Sequence, residues 1–124
     1  MSLRSPLSRV LGHGAANEGV HHWWVQRLTS LALIPLGIWF VVSLTALPLG
    51  NHAVLVGWMT HGWNALLMFV FLLVATWHSR LGVQVVVEDY VHTQGLKTLV
   101  LIVNTFAHFW IAAAGTYAVL KIAL

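Results

Sequence analysis

Histidine is the residue type to follow in this chain. Eight histidines stand among 124 residues that carry only six basic and three acidic side chains, and there is no cysteine. Disulfides, thiolate-bound zinc and iron–sulfur clusters held by this chain are therefore excluded, and any metal chemistry must use histidine or oxygen ligands. His78 stands at the end of the apolar run from Ala65 to Ala75. An ionisable group at that depth is costly to keep and is a functional candidate by default. Neutral imidazole in a dry helical bundle is a good axial ligand for haem iron. It is equally suited to donating one hydrogen bond that bridges two helices. Gly82 follows one helical turn later on the same face, where the missing side chain lets a flat macrocycle or a partner helix come close. Glu88, Asp89 and Tyr90 close the stretch, Tyr90 lying roughly 18 Å from His78 along a continued helix. A phenol beside a carboxylate at a membrane boundary can donate a hydrogen bond to a quinone carbonyl and help supply protons to it. It can also be a plain interfacial pair with an aromatic anchor.

The elements that must position these groups are membrane spans. With 59% hydrophobic and 7% charged residues, the chain has too little polar surface to cover a soluble globule, and its seven tryptophans suit the boundary between hydrocarbon and headgroups. Three spans are expected, over about 22–49, 54–87 and 96–122, in one all-α membrane-anchor domain covering 1–124. The apolar part of the first, Leu28 to Leu49, reaches roughly 33 Å at helical rise, enough to cross a bilayer core. Pro35 lies inside it, and Pro48, Gly50 and Asn51 close it. The second is longer than a crossing needs, so a tilt or a projection from the membrane is expected. Residues 1–21 form a short polar arm with Arg4 and Arg9, lacking the long basic amphipathic helix of a transit peptide and the cleavage site of a secretory signal.

The net charge of +3 is topological information and not a nucleic-acid footprint. Arg4, Arg9, Arg27, Arg80 and Lys97 fall on the side of the N-terminus and second loop, and only Lys121 falls on the other. That bias sets the N-terminus inside and the C-terminus outside. Arg80, two residues past His78 and on another face, reads as one of these topogenic cations. In Gly19-Val20-His21-His22-Trp23-Trp24-Val25-Gln26-Arg27, the tryptophans and Arg27 suit an interfacial start to the first helix. If His78 holds iron, His21 and Arg27 could also hold haem propionates, since guanidinium pairs with carboxylates through parallel hydrogen bonds. His61, near the outer end, reads as interfacial, with a second haem as the alternative. His108, between Phe106, Phe109 and Trp110, reads as packed or hydrogen-bonded. His13, His52 and His92 lie in the arm and loops.

His78-x3-Gly82-x6-Asp89-Tyr90 in the second of three spans, with Gly19-Val20-His21-x5-Arg27 before the first, resembles the smaller of the two membrane anchors of succinate dehydrogenase (succinate:quinone oxidoreductase, respiratory complex II). Size, span number and orientation agree over nearly the whole chain. The resemblance implies that His78 is an axial ligand of haem b, the other ligand being a histidine of the second membrane-anchor subunit. It implies that Tyr90 hydrogen-bonds ubiquinone with Asp89 beside it, and that His21 and Arg27 lie near the haem propionates. It also implies an iron–sulfur subunit and a flavoprotein subunit that carry the clusters and FAD, and a multi-pass place in the bacterial inner membrane, ahead of the mitochondrial one. The four-chain complex, alone or in a higher oligomer, would be the enzyme, and the isolated chain would have no activity. A haem-free structural anchor and the anchor of a fumarate reductase are the alternatives. A three-span transporter is disfavoured, because charges are missing from the middles of the spans.

Overall fold

The computed structural model describes residues 16–124, with side chains from Gly19 onward. Arg4, Arg9, His13 and most of the arm over 1–21 lie outside the described residues. The described residues form four helices, α1 (Ala16–Ala46), α2 (His52–Met59), α3 (Gly62–Tyr90) and α4 (Gln94–Ala123), and no strand. Three are long and apolar enough to cross a membrane, Gly19–Ala46 within α1, then α3 and α4, at 28, 29 and 30 residues. At helical rise each exceeds roughly 40 Å against a hydrocarbon core of about 30 Å, so the helices tilt or emerge at their ends. The all-α, three-span architecture read from composition is the one formed.

The second predicted span divides. In place of one helix from Val54 to Val87, the chain makes the short α2, turns at Thr60 and His61, and restarts at Gly62. His61 is extended, with φ −70° and ψ 119°, and its carbonyl accepts from the backbone N–H groups of Asn64 and Ala65. The Asn64 side chain donates back to Trp58 O at 2.9 Å. Local polar groups thus satisfy the backbone at the break, and the excess length of that segment goes into a separate helix. Asn51 starts α2 by accepting from Val54 N at 3.3 Å, as an asparagine cap does. The first helix stops at Ala46, before Leu49, because the residue ahead of Pro48 is steered away from helical geometry. It runs uninterrupted through Pro35.

The long helices are antiparallel neighbours with α3 in the middle. Phe40 stacks on Phe71 at 4.7 Å between ring centroids and Trp39 on Trp58 at 5.7 Å, so α2 closes the end of the bundle at which α1 finishes. Helix α3 packs on α1 along one side and on α4 along the other, while the backbones of α1 and α4 stay apart. The buried apolar residues are few, Leu81 and Val87 on α3 and Val119 on α4. Most apolar side chains face outward, as they must where lipid or another subunit is the surrounding medium.

Between apolar helices in lipid, close packing replaces the hydrophobic effect as the force that holds them. Gly115 supplies it for α4, since a Cβ there would lie 2.5 and 2.8 Å from the Leu72 methyl carbons and 3.2 Å from Leu72 Cγ. The Leu72 tip can rotate away from a methyl, so Gly115→Ala is expected to be tolerated. Gly115→Leu must part the helices and is expected to cost about 3 kcal/mol, the upper range for overpacking. A fall in the melting temperature of the detergent-solubilised protein well beyond that of Gly115→Ala checks this.

Candidate functional site

The polar residues of the membrane-embedded region gather in two seams, one on each side of α3. On the α1 side, His22, Gln26 and Thr29 recur at intervals of four and three residues and so form one stripe. They sit where α3 presents His78 and Gly82. Thr29 Oγ1 is 2.8 Å from Val25 O and 3.0 Å from Gln26 O on its own helix, and 2.9 Å from His78 Nδ1. A hydroxyl has one hydrogen; with it given to its own helix backbone, the oxygen accepts from Nδ1–H of His78. In that tautomer Nε2 carries the lone pair, and its neighbour is the Gln26 amide nitrogen at 3.5 Å, the outer limit of a hydrogen bond. The same amide nitrogen is the nearest atom, at 3.9 Å, to where a Cβ on Gly82 would stand. Among the described residues Gln26 Oε1 and His22 Nε2 are buried without a partner.

Two buried orphan atoms in one seam are uncommon, since buried polar groups are normally satisfied. Beside them are an imidazole anchored through Nδ1 and a glycine that leaves room. This is the arrangement in which a histidine acts as a metal ligand, its second nitrogen held by a hydrogen bond that sets ring orientation. Among the described residues no three histidine or carboxylate side chains cluster to hold a metal ion. An iron bound at His78 would need its other ligands from a prosthetic group and another chain. A haem, which brings four equatorial nitrogens of its own, fits that donor set.

His21 and Arg27 do not join this seam. Both are exposed, and they lie on faces of α1 away from the stripe. Arg27 stands over the Trp23 ring, 5.2 Å from its centroid. The side chain that does turn into the seam is His22. At the far end of α3, Asp89 and Tyr90 are exposed, Tyr90 by 80%, and neither side chain forms a hydrogen bond among the described residues. Glu88 is different. Its carboxylate accepts from Gln84 Nε2 at 2.8 Å and its carbonyl from Lys97 Nζ at 3.0 Å, so it fastens the α3–α4 turn while its two neighbours stay free.

The family comparison decides what such a molecule is. The sequence profile of the succinate dehydrogenase/fumarate reductase transmembrane subunits matches residues 1–113. The chain belongs to that family. It is similar to the succinate dehydrogenase hydrophobic membrane anchor subunit of Rickettsia felis, 34% identical over 101 residues covering 80% of this chain and 83% of the relative. The corresponding protein of Rickettsia bellii is 27% identical over 111 residues, 89% of each chain, and that of Paracoccus denitrificans 25% identical over 121 residues, 97% and 92%. This succinate dehydrogenase anchor is a multi-pass membrane protein and one subunit of an oxidoreductase complex.

The anchor's second seam, between α3 and α4, was not foreseen from the sequence. Asn104, buried, donates to Arg80 O at 3.1 Å. His108 pairs with Asn104 O at 2.9 Å through Nδ1 and with Ser79 Oγ at 3.1 Å through Nε2. With both nitrogens engaged, His108 is the hydrogen-bonded packing residue expected of it. His61 is exposed at the start of α3, with no side-chain cap bond. In the first seam, Gln26 and Thr29 were missed although their spacing was visible. A polar stripe at helical period inside an apolar helix signals a buried partner, but one chain of letters does not say which helix supplies it.

Proposed function

We propose that this anchor co-ligates haem b through His78, shares it with a histidine of the second membrane anchor, and contributes Tyr90 and Asp89 to the ubiquinone-reduction site of a succinate:ubiquinone oxidoreductase. The observation that carries the reading is the Thr29–His78 hydrogen bond, which, with Nδ1–H donating, leaves the lone pair on Nε2 in a seam with orphaned polar atoms. When bound, the haem supplies a one-electron store between the iron–sulfur protein and the quinone. His78 Nε2 holds its iron and Thr29 orients the ring. Gln26 is retained by a single contact at the distance limit, so turning its amide out of the seam costs little. Gly82 keeps the space beside the ring open. Arg27 and His21, at the same end of α1, are the groups assigned to the propionates. His22 is placed closer to the seam than His21 and shares that assignment.

Tyr90 and Asp89 act at the exposed end of α3. The Tyr90 hydroxyl donates a hydrogen bond to a quinone carbonyl oxygen, where negative charge develops on reduction, and Asp89 supplies a carboxylate within reach of the incoming proton. Both side chains point away from the rest of this chain, so the walls of the pocket come from the second anchor and the iron–sulfur protein. The flavoprotein, with its FAD, oxidises succinate, and the complex lies in the bacterial inner membrane with the Tyr90 end inside. The reading is tested by optical spectra of the purified complex with and without His78.

The role of Thr29 has its own test. Thr29→Val keeps the shape and removes the acceptor for Nδ1–H. Loss of a hydrogen bond that orients a metal-binding histidine typically weakens binding about 10–100-fold, so haem retention through purification should fall by that order. Thr29→Ser should restore it. Equal haem content in all three proteins would show that the hydroxyl has no orienting role.

A further inference from the structure

Between α3 and α4, on the side away from the His78 seam, lies an open groove of about 520 Å³. Leu73, Trp77, Phe109 and Ala112 form its walls, and Arg80 and Thr105 stand at one end. From Arg80 to Leu73, and equally from Thr105 to Ala112, is seven residues, so the groove runs roughly 10 Å along the helices. Its apolar walls and single charged end make it amphipathic along its length. Arg80 stands over the Trp77 ring at 5.2 Å from the centroid and donates from Nε to Thr105 Oγ1 at 3.5 Å. Neither contact neutralises its charge, and among the described residues no carboxylate pairs with it. Thr105 lies eight residues from Lys97, which places the Arg80 head roughly 12 Å inside the end of the bundle that Lys97 marks. A cation beside hydrocarbon is costly unless it meets an anion or reaches the interface.

We infer that this groove binds one anionic glycerophospholipid from the leaflet on the Arg80–Lys97 side. Its phosphate pairs with the guanidinium, and one acyl chain lies along Trp77, Phe109 and Ala112. The charge decides the occupant. A phosphate diester offers paired oxygens to the planar fork of the arginine, whereas a quinone tail or an apolar partner helix would leave Arg80 without a counter-charge. The chain beyond the headgroup then continues the bilayer into a furrow that water could not fill.

The test counts lipid on the complex, purified through this chain and washed free of loosely held lipid. It is then offered phosphatidylglycerol or phosphatidylcholine in detergent micelles and read by native mass spectrometry. The unaltered complex is expected to take up one phosphatidylglycerol at this site with at least about tenfold preference over phosphatidylcholine. Arg80→Gln should abolish the preference, Arg80→Lys should keep most of it, and Ala112→Phe, which fills the groove while leaving Arg80 in place, should remove the bound lipid. A photo-crosslinking side chain at Phe109 should attach to phospholipid. Unchanged uptake in both Arg80→Gln and Ala112→Phe overturns the proposal, and so does crosslinking of Phe109 to a polypeptide or a quinone. Because the readout is lipid, the result is independent of whether His78 holds haem.

Discussion

Replacement of His78 by alanine is expected to remove the b-type absorption bands of the purified complex while the complex still assembles. The expectation of assembly comes from the hydrogen-bond balance in the seam. With the Thr29 hydrogen given to its own helix backbone, losing His78 leaves the Thr29 acceptor unsatisfied and takes from the Gln26 amide only a contact at the distance limit. Such a loss costs about 1 kcal/mol, against the much larger packing of α3 on both neighbours. On the proposed reading, the same change removes the ligand this chain would give the iron, and a haem held by the second anchor alone would show a different spectrum. Haem counted per complex and the visible spectrum together check the result. Retention of the original bands in the His78→Ala complex would falsify ligation by His78 and favour the haem-free anchor.

Changing Tyr90 to phenylalanine is the second large effect. The residue is 80% exposed at the last position of α3, and its hydroxyl forms no bond within the described chain. Removing the oxygen therefore costs the fold nothing, and any kinetic change reports on what meets Tyr90 from outside. Loss of one hydrogen-bond donor at a site of developing negative charge typically slows a reaction about 10²–10³-fold. Quinone reduction by the complex should fall by roughly 10²-fold, the lower end of that range, while succinate oxidation measured with an artificial acceptor should hold its rate. Parallel loss of both activities would point to failed assembly, and no loss of either would remove Tyr90 from the quinone site.

The two proposed roles fall in different surroundings. His78 is half-buried against α1, in the seam with Thr29 and Gln26. Tyr90, twelve residues later, is exposed at the last position of α3. On the proposed reading, the electron store takes the first environment and the proton-exchanging group the second.

The membrane class and the three spans were legible in the letters, because hydrocarbon admits only helices with satisfied backbones and the required length is set by bilayer thickness. So was the His78–Gly82 face, since residues four apart must share one side of a helix. The break at Thr60–His61 was not. It depends on Asn64 reaching back to Trp58 and on α2 finding Trp39 to stack against, contacts between segments that hydropathy treats as one run. The choice between His21 and His22 was likewise beyond the sequence, as adjacent helical positions point about 100° apart and only the location of α3 tells which one is turned inward.

What the sequence by itself determined was therefore composition-driven: an all-α membrane anchor in whose second span a deeply placed histidine precedes a glycine, an acid and a phenol at fixed distances. Tertiary structure alone decided the partners. It set Thr29 against His78 Nδ1 and Gln26 against Nε2, and gathered Asn104, Ser79 and His108 into a second seam. It also left Arg80 at the head of an apolar groove without a counter-ion among the described residues. The physical reason is that spacing along a helix is dictated by its own 3.6-residue period, whereas which two polar stripes meet depends on how three nearly uniform apolar cylinders pack, a choice made by small residues such as Gly115 and by the few hydrogen bonds available in a dry medium.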